Sequence, residues 1–217
     1  MALDVGHVLE GKYRIERVLG RGGMGTVYEG VHTRIHRRVA IKVLKATLAA
    51  DDDMVKRFER EALAASSVRS NHVVEVFDVG QLPDGERYMI LEFLDGESLS
   101  ARLKRLGTMA PNQIFPLATE ALEGLQAAHD AGIVHRDLKP ANIFIAKAES
   151  GGELVKVLDF GVSKFSALDG EAMTQTGAVV GTPHYMAPEQ TKGARHAGVA
   201  SDIYAMGAIL FLSLIHI

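Results

Sequence analysis

The run His135-Arg136-Asp137-Leu138-Lys139-Pro140-Ala141-Asn142 brings a carboxylate, an ammonium and an amide close together, and Asp159-Phe160-Gly161 adds a second carboxylate downstream. Phosphoryl transfer needs these groups. Asp137 can accept the proton of an attacking hydroxyl, and Asn142 and Asp159 offer hard oxygens of the kind magnesium prefers. Lys139, two residues past Asp137, can neutralise charge that builds on the transferred group. Little covalent work falls to a protein in this reaction, so what it must supply is electrostatics and position.

Phosphates also need a cradle. Gly20-Arg21-Gly22-Gly23-Met24-Gly25-Thr26-Val27 offers backbone N–H groups with no Cβ in the way. A glycine pattern of this type also occurs in dinucleotide folds, where a helix follows the last glycine and an acid comes about 20 residues later. Here Thr26-Val27-Tyr28-Glu29 continues as strand, and the position at that distance is Lys45. The loop is therefore expected to run strand–turn–strand.

The elements around these groups are legible from periodicity. Tyr13, Ile15, Val18 and then Val27, Tyr28, Val31 alternate as two strands of a hairpin, and Arg38 to Leu44 reads as a third strand carrying Lys42. Asp51-Asp52-Asp53 opens a helix through Met54, Val55, Phe58, Ala62 and Ala65, the acids sitting at its positive end rather than forming a metal site. Strands are expected at 73–79 and 87–93, joined by turn chemistry at Pro83-Asp84-Gly85. From Ser98 the period becomes helical. Phe115, Ala118, Leu122, Leu125 and Ala128 form the expected buried stripe of a helix over 114–131. Ile143 to Ile145 and Val155 to Leu158 are expected as short strands around Ser150-Gly151-Gly152.

The chain has 217 residues, enough for one substantial domain or two small lobes. Lys plus Arg number 24 against 27 Asp plus Glu, so no nucleic acid or anionic membrane is implied as a partner. With no cysteine there is neither a disulfide framework nor a thiolate zinc site, which is compatible with a reducing cytoplasm. No signal peptide is visible at the N-terminus, and the apolar run from Ile203 to Ile217 is short for a membrane span of about 20 residues.

The glycine loop, Val39-Ala40-Ile41-Lys42, the 135–142 run, Asp159-Phe160-Gly161 and Ala187-Pro188-Glu189 occur in this order, and together they resemble the eukaryotic-type protein kinase family in its bacterial serine/threonine branch. The resemblance implies an α+β, bilobal kinase fold. Residues 1–94 would form a β-rich small lobe with one helix, and residues 95–217 a mostly helical, incomplete large lobe. ATP and magnesium are the implied cofactors, and serine or threonine hydroxyls of proteins the implied acceptors. Leu19, Gly20, Gly22 and Gly25 would cover the nucleotide, Val27 and Ala40 would sandwich the adenine, and backbone groups of Glu92 and Leu94 would bind its edge. Leu91 would stand at the back of that pocket. Lys42 would hold the α- and β-phosphates, itself held by a glutamate of the following helix. Glu59 and Glu61 are the candidates, and Arg60-Glu61-Ala62 resembles the family's local pattern.

Asp137 and Lys139 take the catalytic roles by the same resemblance, and Asn142 and Asp159 the metal. Lys139 with Pro140 resembles serine/threonine-specific members. Thr174 and Thr176 would be phosphorylated in the activation segment, the choice between them open, with Arg136 receiving the phosphate. Thr182 would bond toward Asp137 and Lys139, Asp202 would order the catalytic-loop backbone, and His135 would be structural. Relatives resemble dimers formed through the small lobes. A cytoplasmic location is expected, with tethering to the inner membrane left to the intact gene product. An ATP-binding pseudokinase or scaffold and a non-catalytic fragment are the competing readings. A small-molecule phosphotransferase would lack the 181–189 segment that positions a peptide. The resemblance is expected to break after Phe211, with 212–217 foreign and Glu189 deprived of an arginine partner from a missing region.

Overall fold

A computed structural model describes residues 3–49, 51–148, 151–160, 183–192 and 196–215, excepting the side chains of Pro183 and Lys192. Its contacts divide the chain into one unit of Met1–Ser66 with Val74–Leu94 and another of Ser67–Val73 with Asp95–Ile217. The architecture is α+β.

The first unit is a six-stranded antiparallel sheet in the order β1-β2-β3-β4-β6-β5. Its strands are β1 (Val8–Leu9), β2 (Tyr13–Arg21), β3 (Gly25–His32), β4 (Arg38–Leu44), β5 (Val76–Gln81) and β6 (Arg87–Glu92). The last strands differ slightly from the reading by periodicity. β5 begins at Val76, because Val73 belongs to the second unit and bridges in parallel to Val157 there. Two short elements were not foreseen, β1 and a single helical turn α1 (Ala46–Ala49), which closes on the Lys45 carbonyl.

Side chains alternate across a strand, so register decides what meets. Tyr28, Ile41 and Ile90 stand side by side on one face, with Ile15, Val39 and Tyr88 in the same buried cluster. Val27 pairs with Lys42, Glu29 with Ala40, and Lys42 with Met89, which sets these residues on the opposite face. Helix α2 (Asp52–Ser67) packs on that second face through Phe58 and Ala62 against Leu44 and Met89. The helix starts at a cap: Asp51 Oδ1 accepts from the Asp53 N–H at 2.9 Å.

In the second unit, β7 (Gly96–Ser98), β8 (Ile143–Lys147) and β9 (Glu153–Val157) form a small antiparallel sheet. Helices α3 (Leu99–Leu106), α4 (Pro111–Asp130) and α5 (Val199–Leu214) complete it, with 3-10 turns at Pro140–Asn142, Pro183–Tyr185 and Pro188–Lys192. α4 packs on β9 and α5. Its buried stripe is Ile114, Leu117, Ala118, Ala121, Leu125 and Ala128. Phe115, expected on that stripe, is 50% exposed. At about 100° per residue it lies a quarter-turn from Ile114, and the small Ala121 and Gly124 mark the true contact line. A Cβ on Gly124 would fall 2.6 Å from the His72 carbonyl oxygen, so this glycine lets the 67–73 segment lie against α4. α5 carries through Leu212 and Ser213; the Met109 N–H donates to the Ser213 carbonyl at 2.9 Å. Among the described residues, no helix is long and apolar enough to cross a membrane.

Candidate active site

The first unit gathers the glycine loop and the lysine. β2 and β3 pair up to Arg21 opposite Thr26, and the turn closes by Gly22 N–H donating to the Gly25 carbonyl at 2.8 Å. The glycines are not equivalent. A Cβ on Gly25 would lie 2.2 Å from the Val43 carbonyl oxygen, so β4 itself demands this glycine. Gly20 and Gly23 face no atom within 4 Å, and Gly22 only one at 3.8 Å. None of the three lies in the left-handed region. The fold does not require them, and the room they keep open suits a ligand that approaches the backbone. Leu19 is the extra residue where the register of β2 shifts, and it is partly exposed.

Lys42 is buried and its Nζ lies 2.6 Å from Glu61 Oε1. The pair follows from the packing of α2: Phe58 and Ala62 seat the helix beside Met89, the cross-strand neighbour of Lys42, and Glu61 adjoins Ala62. Glu59 points elsewhere and receives the Arg87 Nε–H at 3.1 Å. Val27 and Ala40 share the lysine face with Leu91, the partner of Ala40 on β6. At the end of β6 the Glu92 N–H donates to the Glu75 carbonyl at 3.0 Å, so that donor is already committed. The backbone N–H of Leu94 has no partner among the described residues.

The second unit gathers the carboxylates. Asp137 Oδ2 accepts from Lys139 Nζ at 2.9 Å, and Asn142 Nδ2 donates to the Asp137 carbonyl at 3.0 Å. With its NH2 so engaged, Asn142 keeps its amide oxygen for another partner. The Leu158 N–H donates to the Asn142 carbonyl at 2.8 Å, which brings Asp159 next to this loop. Asp159 is exposed with φ +50°, and Phe160 beside it is fully buried. Among the described residues, no three His, Cys, Asp or Glu side chains cluster to hold a metal. Magnesium asks for less, because it is commonly held by one or two protein oxygens with substrate phosphates. The donor set of Asn142 and Asp159 fits that requirement.

The loop's backbone is anchored by distant side chains. Asp202, at the start of α5, is 1% exposed and accepts from the His135 N–H and the Arg136 N–H, both at 2.8 Å. His129 Nε2 reaches the same carboxylate at 2.8 Å. His135 is buried, and that burial pushes its imidazole pKa down, so it sits neutral. Its Nδ1 accepts from the Asp137 N–H at 3.3 Å, and its Nε2–H then donates to the Leu158 carbonyl at 2.9 Å. Both nitrogens are occupied by backbone, which makes it a strut.

Arg136 adopts φ +65°, and its buried Nε makes no hydrogen bond among the described residues. Gln190, which sequence reasoning passed over, links the Ala187 N–H to the Arg136 carbonyl. Only the neighbouring Ala187-Pro188-Glu189 motif could have drawn attention to it. Glu189 accepts from Ser201 Oγ at 2.6 Å, and this hydroxyl lowers its pKa. Glu189, expected to lack an arginine partner, thus has this neutral hydroxyl as a hydrogen-bond partner. Thr174, Thr176 and Thr182 lie outside the described residues.

Comparison with known proteins agrees with this arrangement. The family model described as "Protein kinase domain" matches residues 13–216, continuing past Phe211. Serine/threonine-protein kinase pkn3 of Myxococcus xanthus is 40% identical over 209 residues, covering 95% of this chain and 38% of the relative. Pkn1 of the same organism is 45% identical over 202 residues, covering 93% and 28%. PknA of Mycobacterium tuberculosis is 40% identical over 213 residues, covering 96% and 48%. The chain thus spans less than half the length of these relatives. The crystal structure of the Mycobacterium tuberculosis PknI kinase domain superposes with a TM-score of 0.74 at 29% identity, covering 98% of this chain and 77% of that one. On a family match across nearly its whole length, the chain belongs to the protein kinase family.

Proposed function

We propose that this domain transfers the γ-phosphate of ATP to serine or threonine hydroxyls of proteins. The observation that carries the reading is Asp137: a carboxylate held by Lys139 at 2.9 Å, in a loop whose backbone is pinned by Asp202, His135 and Asn142. Held so, Asp137 accepts the proton of the acceptor hydroxyl, and Lys139 offsets charge on the group in transfer. Lys42, oriented by Glu61, binds the α- and β-phosphates. Gly20, Gly22 and Gly25 bring the loop backbone over them, the Gly22 N–H itself staying in the turn, with Leu19, Val27 and Ala40 against the base and Leu94 donating to its edge. The carbonyl of Glu92 is the group offered there, since its N–H is committed. Asn142 and Asp159 would hold magnesium, which would supply positive charge to offset that of the phosphates.

The unit of residues 1–66 and 74–94 reads as the small lobe, and the second as part of the large lobe. Thr174 and Thr176 are the expected autophosphorylation sites. The Nε of half-buried Arg136, unpartnered among the described residues, supports this, because a phosphate would satisfy it. Thr182 is expected to bond toward Asp137 and Lys139. Pairing of two copies through small lobes rests on the resemblance alone, and sedimentation of the purified chain checks it.

The test is incubation of the chain with γ-labelled ATP and magnesium beside Asp137→Asn. Label on Thr174 or Thr176 that disappears in the variant supports the reading. Retention of magnesium–ATP binding without label would replace it with a nucleotide-binding scaffold.

A further inference from the structure

The peptide groups on both sides of Arg136 are held by side chains far away in sequence. Its N–H goes to Asp202, and its carbonyl accepts from Gln190 Nε2 at 2.9 Å. The other end of the Gln190 amide accepts the Ala187 N–H at 2.9 Å. Gln190 is 5% exposed, so neither bond competes with bulk water. The two partners dictate which way the amide faces: an N–H at Ala187 must meet oxygen, and a carbonyl at Arg136 must meet NH2. The local turn does not need this side chain, because the Gln190 backbone N–H already closes it on the Ala187 carbonyl at 3.0 Å.

What the glutamine does hold is a residue in an unfavourable conformation. At φ +65° Arg136 is in the left-handed region, which costs a non-glycine residue free energy and persists only when neighbours over-determine it. Asp137 follows directly. We infer that Gln190 is a positioning residue for Asp137: its amide ties the 183–192 segment to the Arg136 carbonyl and so fixes where the Asp137 carboxylate stands. The catalytic consequence rests on the kinase reading, whereas the constraint on the backbone does not. Gln190, Ala187 and Arg136 all belong to the second unit, so the effect falls on the transfer step and spares the grip on nucleotide.

Two variants of the full chain separate the possibilities. Gln190→Met keeps length and volume but makes neither bond. Gln190→Glu keeps the acceptor for the Ala187 N–H but turns a carboxylate on the Arg136 carbonyl. When protonated, that carboxyl can donate again, and burial beside a carbonyl raises its pKa. With magnesium, ATP and dephosphorylated casein, Gln190→Met should lower kcat on the order of tenfold with KM for ATP within about twofold of wild type. Activity of Gln190→Glu relative to wild type should rise as pH is lowered from 8 to 6. Backbone hydrogen exchange over residues 135–142 should quicken in Gln190→Met, as a merely local role at Ala187 would not require.

Unchanged exchange over 135–142 in Gln190→Met overturns the inference, whatever the activity. So does faster exchange with kcat within twofold of wild type. Faster exchange in a chain whose wild type transfers no phosphate supports the constraint and sinks the kinase reading alone.

Discussion

Asp202 offers a direct measure of what it takes to hold the loop that carries Asp137. Its carboxylate is almost wholly buried and receives three hydrogen bonds: His135 N–H and His129 Nε2 on Oδ2, and Arg136 N–H on Oδ1. Asp202→Ala removes every acceptor at once. A buried donor left without a partner costs about 1–3 kcal/mol, so three cost about 3–6 kcal/mol once water entering the vacated volume is allowed for. That is a large share of the roughly 5–15 kcal/mol that holds a domain together. Asp202→Asn should cost less, about 1–3 kcal/mol. Its amide oxygen can take the Oδ2 place with both bonds, leaving only the NH2 opposed to the Arg136 N–H. Urea unfolding followed by far-ultraviolet circular dichroism reads the difference, since the chain has no tryptophan to report by fluorescence. Stability should fall in the order wild type, Asn, Ala. An Ala variant within about 1 kcal/mol of wild type, or an Asn variant as damaged as Ala, refutes the claim that these three bonds carry the anchorage.

The two glutamates of α2 should separate cleanly. Glu61→Gln removes the buried counter-charge of Lys42 and should cost up to about 3–5 kcal/mol and weaken magnesium–ATP binding. Glu59→Gln breaks a half-exposed pair with Arg87 worth at most about 1 kcal/mol. Unfolding and nucleotide titration of both variants decide it, and equal losses would be contrary. Among the loop glycines, Gly25→Ala forces a Cβ onto the Val43 carbonyl and should destabilise by about 1–3 kcal/mol. Gly22→Ala has space and should leave the melting temperature in place while weakening nucleotide binding. The carboxyl of Glu97 is held below the usual range by Arg105 and then Arg102, and that of Glu153 by Arg102. A depressed folded pKa contributes stability above the ordinary carboxylate value near 4.5, which is lost as pH falls through the folded value. The stability difference between wild type and Arg102→Met should therefore shrink from pH 7 toward pH 3.

Residue types and periodicity were enough for β2, β3, β4, α2 and α4 because each obeys a local rule. Arg38 to Leu44 alternates toward two different neighbours, and the buried cluster and Lys42 fall on opposite faces as that alternation requires. The same rule misplaced Phe115. An apolar residue beside a stripe reads like one within it until the partner is known, and the partner here is the His72 backbone, admitted by Gly124. Glycine shows the same limit. Gly20, Gly22 and Gly25 look alike in sequence, yet only Gly25 is demanded by another strand. Least legible is what holds the catalytic loop, because it is long-range bonding of side chain to backbone. Gln190 lies 54 positions from the carbonyl it binds and Asp202 lies 66 from the Arg136 N–H. A family motif brought Asp202 into view and left Gln190 out, although the two grip the peptide groups on either side of Arg136. Motifs mark residues that touch the reaction. The geometry of Arg136 makes the supporting side chains equally consequential, since a left-handed arginine next to Asp137 stays in place only while both of its peptide groups are held.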